Sequence, residues 1–543
     1  MGVAVVTGDA QPVWLSPALA PCRVVLVRPP VVVFPRSLSA VGPTPPVGLA
    51  YVAAALRQAG HDVQVVDGVG AGLDRSHDFD SPIGTLRRVG LSPEEIVAQI
   101  DPGAAVVGIS NMFLHEWPQA REIAELARRR APGATIVIGG DNATAFWRWA
   151  FAETDAIDVC VLGEGEATMV EVVDRLSTGR SLAGLPGVAL RGSLEESSDA
   201  PQLPTRLRHV DEVPRPAWDL FPVEAYLARP DFLGVNRGRS MPILGTRGCP
   251  YRCTFCSSPQ MWTTRYVVRD PAEVVDEIEH YVATYDIDNI DFVDLTAATK
   301  RSWVLALCDA MDARGLRISW QLPVGTRSEA LDEEVLRRLW ETGCRNITYA
   351  PESGSARMLE VMQKRVDLDR LLESLRAAHG IGLTTHANVI IGHPAERWSD
   401  LWRTARLLAR LALIGCDTAS AIMFSAYPGS VDFDDLLATG RVTMDERAYY
   451  AALSRGSSAH VSYNPRMSGR ALRIAQMLMM LMFYGLGTLG HPRRLLRMWR
   501  SQRTGEERTH LDQLIRIKRR GYSGEAPDRG HRGRPASAGL QAS

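Results

Sequence analysis

The chain alternates short apolar runs with amphipathic helical stretches in two separate blocks, and this alternation is what most limits its fold. In residues 23–195 the runs RVVLVR, HDVQVVD, AAVVGIS, ATIVIGG and AIDVCVLG are separated by helical patterns such as VGLAYVAAALRQAG and QAREIAELARRR. Strand–helix–strand connections of this kind are right-handed crossovers, so the block reads as a doubly wound, Rossmann-like parallel sheet. A ligand of such a sheet sits beyond the carboxyl ends of its strands. From Met241 the alternation restarts with PILGT, NIDFVD, RISWQL, NITYAPE, THANVIIG and TASAIMFS, with helices such as EEVLRRLWETG between them. Six strands in that arrangement predict a partial or full β/α barrel of the TIM type.

At 543 residues the chain is too long for one ordinary core, and the pattern divides it accordingly. Residues 1–22 form an N-terminal tail, 23–195 the sheet domain, 196–240 a linker rich in Pro, Arg, Ser and Glu, and 241–435 the barrel. Residues 436–520 read as a helical C-terminal domain. Residues 521–543 hold too few large apolar side chains to fold and are expected to be disordered. The overall class is α/β.

A net charge of -1 makes no electrostatic case for nucleic acid as a partner. The opening residues lack a basic start followed by a compact apolar core, so no secretory signal is expected and the chain is placed in the cytoplasm. The apolar run Ile474–Gly490 falls short of the roughly 20 residues that a spanning helix needs. It is expected to be a buried, methionine-rich helix rather than a transmembrane segment. Because Arg493, Arg494, Arg497 and Arg500 follow it, membrane-surface contact is the alternative.

The sharpest chemical signal is GTRGCPYRCTFCSSP, in which Cys249, Cys253 and Cys256 stand at C-x-x-x-C-x-x-C spacing directly after a strand. A cubane iron–sulfur cluster ordinarily takes four thiolates, so three leave one iron open to an exogenous ligand. Structural zinc needs four ligands, and no Cys or His pair lies nearby to complete the set. A disulfide would strand one thiol. Cys22, Cys160, Cys308, Cys344 and Cys416 stand mostly in apolar contexts and read as small core residues.

At these residues the sequence resembles the radical S-adenosylmethionine (SAM) superfamily. The resemblance implies a [4Fe–4S] cluster whose open iron binds SAM and whose electron cleaves it to a 5′-deoxyadenosyl radical. It spans residues 241 to about 430. Phe255 occupies the position whose backbone contacts adenine in the family. IDFVDLT (Ile290–Thr296) resembles the second strand end and makes Asp294 the candidate for the SAM amino group. Leu295 stands where many relatives carry a second acid. APESGSAR (Ala350–Arg357) resembles the fourth strand end and brings Glu352 and Ser353 toward the ribose or methionine. VIIGHPAE (Val389–Glu396) resembles the fifth, with Gly392 beside adenine. Each acid also has a plain reading as a strand-end surface group, and Glu396 one as a helix cap.

The stretch GPTPPVGLAYVAAALRQAGHDVQVVD resembles the opening of the cobalamin-binding domain fused to many radical SAM enzymes. GISNMF, IGGDNAT and VLGEGEAT continue it, which makes Ser110, Asn111, Gly139, Gly140, Gly163 and Glu164 the cofactor-facing candidates. Small residues at strand ends let a large planar cofactor approach the backbone. The Asp-x-His-x-x-Gly cobalt-ligand motif is absent, so no histidine ligand is assigned. His61 reads as structural, and His115 is an outside candidate.

Together the two cofactors imply transfer of a methyl group from methylcobalamin to a substrate radical, with SAM remethylating the cobalt. The resemblance extends weakly to antibiotic-pathway methyltransferases that act on a pyrrole, which points to an aromatic carbon of a small-molecule or carrier-bound intermediate. The implied electron donor is a flavodoxin or ferredoxin. A radical cyclase or rearrangement enzyme would use the same domains, whereas a cobalamin sensor has no use for an open iron. Trp262, Trp303, Trp320 and Tyr349 are placed either to line the pocket or to fill the core.

Overall fold

The structure is a computed structural model describing residues 18, 20–35, 43–192, 201–204, 206–207, 210–229, 234–456, 461–504, 507–509, 511–512 and 515. The expected tail 521–543 and most of the tail 1–22 lie outside the described residues.

The sheet domain is built on β1 (Arg23–Arg28), β3 (Asp62–Asp67), β6 (Val106–Ser110), β7 (Thr135–Gly139), β8 (Val159–Val161) and β9 (Val188–Leu190). They lie in the order β3-β1-β6-β7-β8-β9, parallel except for β9, which runs antiparallel to β8. The five parallel strands therefore follow the flavodoxin-like doubly wound order, whose ligand site lies where the winding reverses, between β1 and β6. Alternation along β1 explains the two layers. Val24 and Leu26 face one side with helices Val47–Gln58 and Gly165–Ser177, and Val25 and Val27 face the other with helices Trp117–Arg130 and Asp141–Glu153.

One element escaped sequence reading. A three-stranded antiparallel sheet, β2 (Val31–Val33), β4 (Ser76–Ser81) and β5 (Gly84–Val89), leaves the domain and packs Val32, Ile83 and Leu86 against Tyr450.

The second domain is an open parallel sheet of six strands: β10 (Ser240–Ile243), β13 (Asn289–Phe292), β14 (Ser319–Thr326), β15 (Cys344–Glu352), β16 (Thr384–Ile391) and β17 (Thr418–Met423). Each of the first five is followed by a helix, and β10 does not pair with β17, so this is a partial barrel. A short antiparallel pair, β11 (Thr246–Arg247) with β12 (Val267–Val268), frames the cysteine loop. Trp303, Trp320 and Tyr349 are core residues, each buried with its polar atom satisfied, by Arg269 O, Thr342 O and Ser374 Oγ respectively. Cys160, Cys308, Cys344 and Cys416 are buried, as expected, and Cys22 is half-buried.

The two domains share a core. One apolar cluster runs from Val24, Ala53 and Val172 of the sheet domain through Trp218 and Leu227 of the linker to Ile290, Leu336 and Phe483. The linker itself is ordered by Ala217 N donating to Ala50 O (3.0 Å) and Trp218 Nε1 donating to Tyr281 Oη (2.9 Å).

The C-terminal apolar run corrects the expectation of a buried helix. It belongs to a 22-residue helix, Gly469–Gly490, long and apolar enough to cross a membrane by length and composition, yet only Leu472, Met479, Phe483 and Gly487 along it are buried. They pack on the Trp398–Ile414 helix and on β17, where Gln476 Nε2 donates to Ala421 O (2.7 Å). The opposite stripe is open.

Candidate active site

The cysteine loop leaves β11 at Gly248, whose φ is +83°. A Cβ there would lie 2.2 Å from Arg265 O, so only glycine lets the loop turn beneath β12. Cys249, Cys253 and Cys256 are free and half-buried. Burial pushes the Cys253 thiol up to about 11, opposed first by Lys364 and then by Arg327. Burial likewise raises Cys256, opposed by Ser258, whose hydroxyl lies 3.2 Å from the sulfur. Among the described residues no three His, Cys, Asp or Glu side chains converge on a single-ion position. Three separated thiols fit a cubane better, because each binds a different iron. The cationic Lys364 and Arg327 suit an anionic cluster, and the residues present therefore fit it. Beside the loop opens a cavity of about 590 Å³ lined by residues that include Tyr251, Arg252, Gln363 and Lys364.

The loop is tied to the strand ends around it. Thr254 N donates to Met362 O (3.1 Å), Asp432 N donates to Thr254 O (3.0 Å), and Thr254 Oγ1 donates to Asp432 Oδ2 (3.1 Å). His393 Nε2 lies 2.9 Å from the same Asp432 oxygen. Phe255 packs against the cluster formed by Phe424 and Phe433. Asp294 is buried just past β13, and accepts from Gly245 N (3.2 Å), from Thr246 N and from Thr246 Oγ1 (2.5 Å). Burial raises its carboxyl to about 6 against those bonds. It thus anchors the segment from which the cysteines depart. Glu352 ends β15 with φ +62°, a left-handed conformation that costs a non-glycine residue on the order of 1 kcal/mol. It is held there by Lys364 Nζ at 2.9 Å. Ser353 is buried against Thr404 Oγ1 (3.2 Å), and Gly392 N donates to Glu396 Oε2 (2.5 Å).

On the facing domain, the carboxyl ends of β6, β7 and β8 gather the remaining candidates. Asn111 N donates to Gly139 O (2.7 Å), and Asn142 Nδ2 donates to Asn111 Oδ1 (2.6 Å). Gly140 has φ +120°, and a Cβ there would fall 2.6 Å from Asn111 O. Ser110 is half-buried beside it. Met112 and Phe113 stand exposed on the following loop, and Phe113 stacks on His115 with ring centroids 5.4 Å apart. Glycine backbone and an apolar platform at the open end of a doubly wound sheet fit a planar corrin. His61 is instead buried against Asp174 at 3.4 Å.

The two sets of residues meet. Ser257 Oγ donates to Asp141 Oδ2 (3.3 Å), Thr144 Oγ1 lies 3.4 Å from Met261 Sδ, and Gly163 N donates to Thr144 Oγ1 (3.0 Å). Glu164 is buried and accepts from Arg206 Nε (2.7 Å), Leu207 N (3.0 Å) and Arg247 Nη1 (3.3 Å). Arg247 also pairs with Glu166 at 2.7 Å and lies over the Tyr51 ring. Sequence reasoning missed Asp141, Arg206, Arg247, Lys364 and the His393–Asp432 pair. For Asp141 one signal existed: an acid directly after the paired glycines of a strand end. Burial raises its carboxyl to about 6, with Ser257 opposing.

Glu396 supplies a pH test. Burial raises it to about 7, with Gly392 N opposing. Its folded value lies above the unfolded one near 4.5, so the native state holds the extra proton between those values. Stability therefore falls as pH rises through that window, by about 3 kcal/mol at most. Urea midpoints at pH 5 and pH 8 should differ less in Glu396→Gln than in the parent chain. An unchanged difference would remove Glu396 as the cause.

Known proteins agree with this architecture. The profile of the Radical SAM superfamily matches residues 243–408, and that of the B12 binding domain matches residues 36–173. An uncharacterised methyltransferase of Pyrococcus horikoshii is 28% identical over 429 residues, 79% of this chain and 86% of its own length. The cytidylyl-2-hydroxyethylphosphonate methyltransferase of Streptomyces wedmorensis is 29% identical over 398 residues, 68% of this chain and 73% of its own. In three dimensions the cobalamin-dependent S-adenosylmethionine radical enzyme OxsB, with aqua-cobalamin bound, superposes with a TM-score of 0.65 at 15% identity, covering 92% of this chain and 72% of that one, a likeness of fold. With both profiles matched, and the cysteine loop of one domain set against the strand ends of the other, the chain carries a B12-binding domain followed by a radical SAM domain.

Proposed function

We propose that the chain is a cobalamin-dependent radical SAM C-methyltransferase acting on an unactivated carbon, aromatic or pyrrole-like, of a small-molecule or carrier-bound intermediate. The observation that carries it is the meeting of the two sites: Ser257, next to Cys256, donates to Asp141, next to Gly140. A substrate held there faces both cofactors at once. When bound, the cofactors supply hydrogen abstraction from carbon and delivery of a methyl group to the resulting radical.

The residues divide the remaining work. Cys249, Cys253 and Cys256 would hold the cluster. Phe255, Glu352, Ser353 and the turn at Gly392 would border SAM, and Asp294 would act one layer back by fixing the loop. Ser110, Asn111, Gly139, Gly140 and Gly163 would border the corrin, with Glu164 fixing the domain contact. Water exclusion follows from the buried ion pairs that seal the seam. Arg252 and Arg365, exposed in the lining of the cavity, suit an acidic electron donor of the flavodoxin or ferredoxin kind.

The test is anaerobic reconstitution with iron, sulfide and hydroxocobalamin, followed by removal of unbound cofactor. About four irons and about one corrinoid per chain are expected. With a methyl-deuterated SAM and an accepted substrate, labelled product and 5′-deoxyadenosine should form together. Iron without corrinoid would overturn methyl transfer and favour radical rearrangement.

A further inference from the structure

We propose that the Gly469–Gly490 and Arg493–Thr504 helices form a docking surface for an anionic membrane, along which the chain lies as a peripheral protein. Ile474, Met477, Leu478, Leu481 and Leu489 recur at helical spacing on one face of the first helix. With Leu495, Leu496 and Trp499 of the second helix they are each between 51% and 80% exposed. Leu413, at the end of the neighbouring Trp398–Ile414 helix, extends the patch beside Gly490. A soluble monomer rarely exposes so many aliphatic side chains together without a partner.

Charge selects the partner. Residues 469–504 contain seven arginines and no Asp or Glu, in a chain whose net charge is -1. Arg494 and Arg497 are spent internally on Cys416 O and Asp417, both at 2.7 Å. Arg470, Arg493, Arg500 and Arg503 are exposed around the apolar stripe. A second copy docking face to face would set arginine against arginine. A protein partner needs hydrogen bonds about every 100–200 Å², and the five aliphatic side chains of the first helix offer none. Acyl chains need none, anionic headgroups match the arginines, and a tryptophan stacked under an arginine suits the interface between them. Trp499 carries the Arg503 guanidinium 3.9 Å from its ring centroid.

The surface lies along the bilayer rather than through it. The buried side of the first helix is fixed to β17 and the Trp398–Ile414 helix, and Arg473 and Gln476 bond to each other within it.

Reconstituted full-length protein should co-float with vesicles of equal parts phosphatidylcholine and phosphatidylglycerol, and not with phosphatidylcholine alone. Raised salt should release it. Arg493→Glu/Arg500→Glu/Arg503→Glu should weaken binding about 100-fold. Leu478→Glu/Leu481→Glu should abolish it while 5′-deoxyadenosine formation stays unchanged, which excludes misfolding. No flotation on either vesicle, binding that ignores headgroup charge, or a dimer that Leu478→Glu/Leu481→Glu dissociates would each overturn the proposal.

Discussion

Replacing any one of Cys249, Cys253 and Cys256 by alanine is expected to abolish 5′-deoxyadenosine formation, as completely as replacing all three. Three thiolates are the fewest that anchor a cubane and still leave one iron open. Even an outer partner of a metal ligand is worth about 10–100-fold in activity or affinity, so loss of a ligand itself should exceed about 100-fold. Corrinoid content should stay near that of the parent, because the thiols stand on the barrel and the residues proposed to border the corrin stand on the sheet domain. The measurement pairs iron and corrinoid content with chromatographic detection of 5′-deoxyadenosine. Cleavage that survives in any of the three variants would remove the cluster from this loop.

Arg247→Met is expected to bring the largest loss of stability from a single change outside the cluster. Arg247 is 3% exposed and lies between Glu164 and Glu166, both buried. Its removal leaves Glu166 without its cation and Glu164 with Arg206 alone. Breaking a buried pair from one side costs about 3–5 kcal/mol, since the orphaned charge stays desolvated. Arg247 also closes β11, two residues before Cys249, so iron retention should fall with stability. Arg247→Met/Glu166→Gln should recover part of the loss, because it removes the stranded charge as well. An unfolding midpoint like the parent's in the single variant would show that the ion pairs do not hold the domains together.

Much of the architecture was legible because it rests on local periodicity. All six barrel strands were marked by apolar runs, five of them closed by Gly, Pro or an acid, and the cysteine loop by spacing alone. The small antiparallel sheet was not, since SHDFDS and GTLRRV are largely polar and exposed, and their pairing answers to Tyr450, over 350 residues away. The seam between the domains was hidden for a related reason. Arg247 and Glu164 are 83 residues apart, and one arginine or glutamate in a sequence carries no sign of its partner. The Gly469–Gly490 helix misled in the opposite direction. Periodicity cannot separate an apolar face turned into a core from one turned outward, because hydrophobic spacing reports the face and not what covers it.

The core shared by sheet and barrel also sets a timetable for synthesis. Val172 and Val274 belong to the same apolar cluster. The sheet domain therefore leaves the ribosome with one face unfinished, and the Pro271–Tyr285 helix, whose Tyr281 accepts from Trp218 Nε1, follows the domain's last strand some 80 residues later. At about 5–20 residues per second that is roughly 4 to 16 s of exposed aliphatic surface. The nascent chain should need a chaperone during that interval, and an isolated fragment ending near residue 240 should aggregate where the full chain stays in solution.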